Sequence, residues 1–256
     1  MTETASLFTG DLDPFSVEHR TDRVSNPFGM SPPCQRFVPG YGDVNAHFHV
    51  VGDHPGVHGG LETGVPFTGS PWSGPFFDAL AAAGLVTDRD PDGTAVELDR
   101  TYLSFLYPCE PADGDPPPAE YDSLEPFFDA ELRAITAHVL LPVGERATRH
   151  VLETYTARPA GEKSLDGLHA SEIRGSGWLV VPVADPATWS DGPDDRPEDG
   201  DRERGPGHAG REAATGRVPG EAADLVARLR AVLSRDYRQT TDLGRFLPGG
   251  DPYLVR

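Results

Sequence analysis

Apolar residues in this chain gather into short runs bounded by turn-forming residues, and between the runs they recur at helical spacing. The first run, His47 to Val51 (HFHVV), ends at Gly52 and reads as a strand buried on both faces. From Ser73 to Leu85 the apolar positions Phe76, Phe77, Leu80 and Leu85 fall on one side of a 3.6-residue period, and Gly84 supplies a stop. The alternation then repeats. Thr101 to Tyr107 (TYLSFLY) predicts a strand, an acidic proline-rich loop runs to Pro118, and a helix is expected from about Ala119 to Thr136. His138 to Val143 (HVLLPV) predicts a third strand, Glu145 to Tyr155 a helix, and Trp178 to Val183 (WLVVPV) a fourth strand. An amphipathic helix over Gly220 to Leu233 closes the pattern.

Strands alternating with helices imply a parallel sheet covered on both sides. The expected fold class is therefore α/β, a three-layer α/β/α sandwich around a central four-stranded parallel sheet. Residues 1–33 have no sustained period and read as an irregular N-terminal arm. Residues 34–236 form the expected folded domain, and residues 187–218 within it, almost devoid of apolar side chains, read as an acidic flexible insertion. Residues 237–256 form a tail whose Phe246, Leu247, Tyr253 and Leu254 predict partial docking. No internal repeat is evident.

Composition narrows the chemistry. The formal charge is −19, and Lys163 is the only lysine among the 22 basic residues, which argues against a broadly basic, DNA-coating surface. Such carboxylate-rich, lysine-poor usage resembles that of proteins from salt-loving archaea. Phosphate contacts weaken steeply in concentrated salt, so a nucleic-acid enzyme there has to lean on stacking and pocket contacts. The start of the chain lacks a basic, apolar leader, and no run approaches the roughly 18 apolar residues of a membrane span, so a cytoplasmic protein is expected. The two cysteines, Cys34 and Cys109, are too few for a disulfide framework or a tetrahedral metal site.

The candidate chemistry lies behind the first strand. In an open parallel sheet, ligands bind beyond the carboxyl ends of the strands. There the chain reads GDHPG over residues 52–56 and GVPFTG over residues 64–69. Glycines let backbone approach a ligand closely. The spacing does not match a triphosphate-binding loop, which also needs a lysine, and it does not match a dinucleotide fingerprint. His47, His49 and His58 lie nearby, but without metal-ligand spacing, so no metal is expected.

A strand followed by GDHPG, then by GVPFTG and a helix, resembles the uracil-DNA glycosylase superfamily, especially its iron-sulfur thermophilic and archaeal branch. NPFGM, the turn Gly40–Asp43, TYLSFLYPCEP, FFDAELRA and VLLPVGERA extend the resemblance over roughly residues 26 to 190. It implies an enzyme of base-excision repair that draws a damaged or deaminated base out of DNA and hydrolyses its N-glycosidic bond. By that resemblance Phe67, presented by Pro66, stacks on the base; Gly52, Pro55 and Gly56 line its pocket; and Asp53 or His54 positions the water. Arg174 and Trp189 are expected to touch DNA, the partner, and the protein to act as a monomer.

Departures from the family pattern matter as much. Phe105 stands where many relatives carry an asparagine that reads the base edge. Asp185-Pro186-Ala187 replaces a His-Pro-Ser whose histidine stabilises the leaving base, so Asp185 could help only if protonated. The branch uses four cysteines for its cluster and this chain has two, with Phe37 and Leu124 near the other two positions; no cofactor is expected, and Cys34 and Cys109 are read as small apolar remnants lying close together. The missing asparagine and histidine favour an alternative: a catalytically impaired member that binds DNA or a partner through the same cleft. A small-nucleoside hydrolase with a similar sheet is a third reading.

Overall fold

The computed structural model describes residues 32–43, 45–90, 95–112, 114–135, 137–158, 165–189, 220–235 and 237. Most of the expected arm, insertion and tail lies outside them. The strands are β1 (Tyr41–Gly42), β2 (Phe48–Gly52), β3 (Val86–Arg89), β4 (Val96–Leu98), β5 (Thr101–Phe105), β6 (Val139–Pro142), β7 (Ile173–Gly175) and β8 (Trp178–Val180). The helices are α1 (Pro55–His58), α2 (Ser73–Ala83), α3 (Pro118–Ile135), α4 (Gly144–His150) and α5 (Gly220–Leu233). The helix α4 continues as a π turn over Val151–Tyr155.

Six strands form one sheet in the order β1-β5-β2-β6-β8-β7. Its centre, β5-β2-β6-β8, is parallel, and β1 and β7 add antiparallel edges. The strands β3 and β4 pair separately. Every residue of β2, β5 and β6 is buried, which explains why these strands read as mostly apolar runs without alternation. Alternate residues feed two cores. Phe48, Val50, Leu103, Val139 and Leu141 pack with Phe76, Phe77 and Leu80 of α2 and Leu225 and Leu229 of α5. Val51, Leu140 and Val180 pack on the other face with Phe128 and Leu132 of α3 and Ala147 of α4. Each such fully buried large side chain contributes roughly 1.5–3 kcal/mol. The result is the expected three-layer α/β/α sandwich.

Topology then selects the site. After β2 the chain turns toward β5, and after β6 it turns the opposite way toward β8. Adjacent strands whose connections diverge leave a crevice at their carboxyl ends, the favoured ligand position in open α/β sheets. Gly52 ends β2, and Gly144 follows β6 across that crevice. Among the described residues no helix is long and apolar enough to cross a membrane.

Candidate active site at the crevice between two strands

Asp53 is the first residue beyond β2. Its carboxylate is held from two directions: Tyr121 of α3 donates its hydroxyl to Oδ1, and Arg146 of α4 donates Nε–H to Oδ2 at 3.1 Å. The Arg146 guanidinium also lies over the Tyr121 ring, 4.8 Å from its centroid, and pairs with Asp115 at 3.7 Å. Burial, and then the bond to Asp53, raise the Tyr121 pKa far above its ordinary value, so the phenol keeps its proton. With two donors in place and its side chain 14% exposed, Asp53 presents a fixed acceptor at the mouth of the crevice. Such a group can orient a water and take its proton.

His54 was expected to share that task, but its geometry gives it another. It is the N-cap of α1, its Nδ1 accepting from the Gly56 N–H at 3.1 Å, with Pro55 in the first helical turn. Its Nε2 faces Asp115 Oδ1 at 3.3 Å. With Nδ1 occupied as an acceptor, a neutral His54 carries its proton on Nε2 and has no free basic nitrogen for water.

Phe67 is fully buried, with φ of 68°, a left-handed conformation that a phenylalanine adopts only under constraint. Its ring meets His58, Phe76 and Phe105 at centroid distances of 5.4, 5.2 and 5.3 Å. The surrounding Val65 and Pro66 are buried as well. Phe105 packs against Gly52: a Cβ built there would lie 2.6 Å from the Phe105 ring, so only glycine admits it. Phe67 and Phe105 therefore share one aromatic wall with His58, a residue that had suggested only an unsupported metal cluster. Gly56 reaches the other wall, where its Cβ would meet Pro111 at 2.8 Å.

At the end of β8 a cavity of about 160 Å³ is lined by Gly144, Thr148, His169, Ala184, Asp185 and Thr188, among others. Asp185 caps a short 3₁₀ turn, its Oδ1 accepting from the Ala187 N–H at 2.9 Å. That carboxylate serves the backbone. His169 is engaged at both nitrogens, accepting from the Ala184 N–H and donating to the Glu221 carbonyl.

Trp189 packs on His169, which lines this cavity, and Arg174 lies on the sheet edge. Arg174, on the edge strand β7, pairs in register with Leu179, the middle residue of β8. Trp189 donates Nε1–H to the Ala184 carbonyl and packs near Phe76. The expected remnant cysteines are not free: Cys34 and Cys109 form a disulfide across 75 residues, with Leu124 packed beside them. With both thiols consumed and no other cysteine in the chain, the sulfur set for a four-thiolate cluster does not exist. Among the described residues no group of His, Cys, Asp and Glu could hold a metal ion.

Tyr121, Asp115 and the role of Arg146 escaped sequence reasoning. Arg146 balances two carboxylates, pairing with Asp53 and Asp115. Tyr121 had no local signal, since it meets Asp53 across 68 residues.

With the geometry in place, comparison with known proteins is informative. The profile of the Uracil DNA glycosylase superfamily matches residues 39–201. A type-5 uracil-DNA glycosylase of Pyrobaculum aerophilum is 34% identical over 144 residues, 54% of this chain and 62% of that protein. The type-5 enzyme of Thermus thermophilus is 29% identical over 144 residues, 56% of this chain and 66% of that protein. One from Mycobacterium tuberculosis is 32% identical over 114 residues, 44% of this chain and 42% of that protein. The chain thus spans less than two thirds of the length of these curated relatives.

Proposed function

The chain belongs to the uracil DNA glycosylase superfamily, and from that premise we propose that it hydrolyses the N-glycosidic bond of uracil or another deaminated base in DNA, as a step of base-excision repair. The observation that carries this reading is the Asp53 carboxylate, fixed by Tyr121 and Arg146 at the mouth of the crevice between β2 and β6. The base leaves the DNA stack and enters the crevice, because its glycosidic carbon cannot be reached inside a duplex. Asp53 holds a water against C1′ of the deoxyribose. The water oxygen bonds to C1′ as the C1′–N bond breaks, and the electron pair of that bond leaves with the base. The water's proton passes to Asp53 and on to solvent, and the released base is reprotonated from solvent. Phe67 and Phe105 supply the apolar wall, Tyr121 and Arg146 orient the carboxylate, and His54 and Asp185 start helical turns outside the chemistry. Residues 34–236 are the working unit in this reading.

One observation favours a second reading. Phe67 is fully buried and Phe105 fills with carbon the end of β5, where relatives resembling this chain carry an amide. A fold retained to bind DNA through the same cleft, without cleavage, accommodates both.

The test is a glycosylase assay at molar potassium chloride on labelled single-stranded and duplex oligonucleotides containing uracil, hypoxanthine or xanthine, followed by alkaline cleavage at abasic sites. Strand scission at the modified base is the expected result. A folded protein that binds these strands and leaves every base attached would overturn the enzymatic reading in favour of the second.

A further inference from the structure

We propose that the Nε2–H of His58 is the hydrogen-bond donor that meets a carbonyl oxygen of the extruded base in the crevice between β2 and β6. The inference rests on the reading that this crevice receives a base, and it assigns the contact that selects which one.

His58 ends α1 and is 1% exposed. Three aromatic rings hold it: Phe67 at 5.4 Å, Phe105 at 6.3 Å in a near-parallel stack, and Trp72 edge-on at 5.9 Å. Its Nδ1 accepts the backbone N–H of Asp53 at 2.9 Å. An acceptor nitrogen carries no proton, so the proton of the neutral ring is on Nε2. That Nε2 is buried and has no hydrogen-bond partner. Buried donors are rarely left unpaired in native proteins, and such a group calls for an explanation.

The surroundings of Nε2 supply one. A Cβ built on Gly144 would lie 3.7 Å from Nε2 and 3.8 Å from Cε1, and outside Gly144, its chain neighbours and its own helix it would meet nothing else within 4 Å. Among the described residues no atom from elsewhere in the fold fills the room a side chain would take there. The residue beside that room is a glycine with φ of 80°, which both keeps the space clear and disfavours any side chain that would close it. Gly144 also lines the cavity that reaches Asp185, so the His58 donor lies next to a residue of that cavity.

The chemistry that fits is a carbonyl oxygen. Burial pushes the His58 pKa down to about 4, with Asp53 opposing the shift and His54 adding to it, so at neutral pH the ring is an uncharged donor. A base with a carbonyl in that place, such as uracil, hypoxanthine or xanthine, satisfies it. Where that carbonyl is the C4 oxygen of uracil or the C6 oxygen of a purine, cytosine and adenine present an amino group instead, donor against donor. As the glycosidic bond breaks, negative charge spreads onto the base carbonyls, and a fixed N–H bond to one of them strengthens toward the transition state. In this chain His58 stands in for the asparagine and histidine that Phe105 and Asp185 replace. Its other nitrogen holds the backbone of Asp53, which ties the base contact to the water-bearing residue.

Two variants test the donor. His58→Asn keeps an acceptor near the Asp53 N–H and cannot reach Gly144, whereas His58→Gln can place an amide N–H near the Nε2 position. The readouts are single-turnover excision from a uracil oligonucleotide, and binding of an uncleavable strand carrying 2′-fluoro-2′-deoxyuridine relative to the same strand with an abasic analogue. For His58→Asn, excision is expected to fall on the order of a hundred- to a thousandfold, and the preference for the base over the abasic strand by about tenfold. His58→Gln is expected to recover much of both. A His58→Asn protein with wild-type excision and base preference overturns this inference and leaves the glycosylase reading standing. If the wild-type protein excises nothing, the glycosylase reading falls, and binding alone decides the donor: base preference lost in His58→Asn upholds it. Preference retained in that variant, or absent from the wild type, overturns it.

Discussion

Two strand ends of this molecule are built from nearly the same residues and do different things. Beyond β2 the chain reads Asp53-His54-Pro55, and beyond β8 it reads Asp185-Pro186; in each case the proline opens a short helical turn. The residue before the proline becomes the cap. At β8 that residue is the aspartate itself, and its Oδ1 is spent on the Ala187 N–H. At β2 the extra histidine takes the cap, through Nδ1 and the Gly56 N–H, and the aspartate one position earlier is released toward Tyr121 and Arg146. A one-residue offset thus decides whether a carboxylate is spent on the backbone or held by a tyrosine and an arginine.

The sharpest way to break the comparison is at Asp53. Asp53→Asn keeps the size and the bond to Tyr121 or Arg146 but removes the proton acceptor, and excision is expected to fall on the order of a hundred- to ten-thousandfold in single-turnover kinetics. A smaller effect is expected at the other end. Asp185→Ala loses a cap and should cost about 1 kcal/mol in urea unfolding, whereas Asp185→Asn, itself a good cap, should unfold like the wild type.

A further effect concerns pH, and it comes from buried groups around the sheet. Burial lowers the pKa of His49 to about 3 and that of His58 to about 4, so between those values and 6.5 the unfolded chain binds protons that the folded one does not. Stability from both is therefore complete above 6.5 and is lost as pH falls. Glu131, close to Ser104 and Tyr102, runs the other way: burial raises it to about 7, so its contribution is present below 4.5 and is lost as pH rises to 7. Two histidines against one carboxyl leave a net rise of roughly 1 kcal/mol per pH unit between 4.5 and 6.5. Urea midpoints measured across pH 5 to 7.5 should show that rise followed by a shallow fall, and Glu131→Gln should steepen the first and remove the second.

The layered fold was legible because β2, β5 and β6 are buried on both faces and so write themselves as mostly apolar runs, with amphipathic helices between them. The edges were not. The strands β1 and β7 are two and three residues long, too short to carry a period, and the β3–β4 pair lay in a stretch with no clear alternation. At the site, the resemblance of GDHPG and GVPFTG to the family's motifs pointed to Asp53 and Phe67. It did not distinguish Asp53 from His54, because capping is decided by which backbone N–H a ring nitrogen meets. The left-handed φ of Phe67 and the unpaired nitrogen of His58 are facts of three-dimensional placement. Tyr121 reaches Asp53 from another helix, and no local pattern announces such a contact.

The comparison of the two aspartates is tested most directly by measuring single-turnover uracil excision for Asp53→Asn and Asp185→Asn side by side, both shown by urea unfolding to be as stable as the wild type. The prediction is a loss of at least about a hundredfold for Asp53→Asn and a change of less than about threefold for Asp185→Asn. Equal losses, or a larger one at Asp185, would contradict the assignment of the working carboxylate to the end of β2.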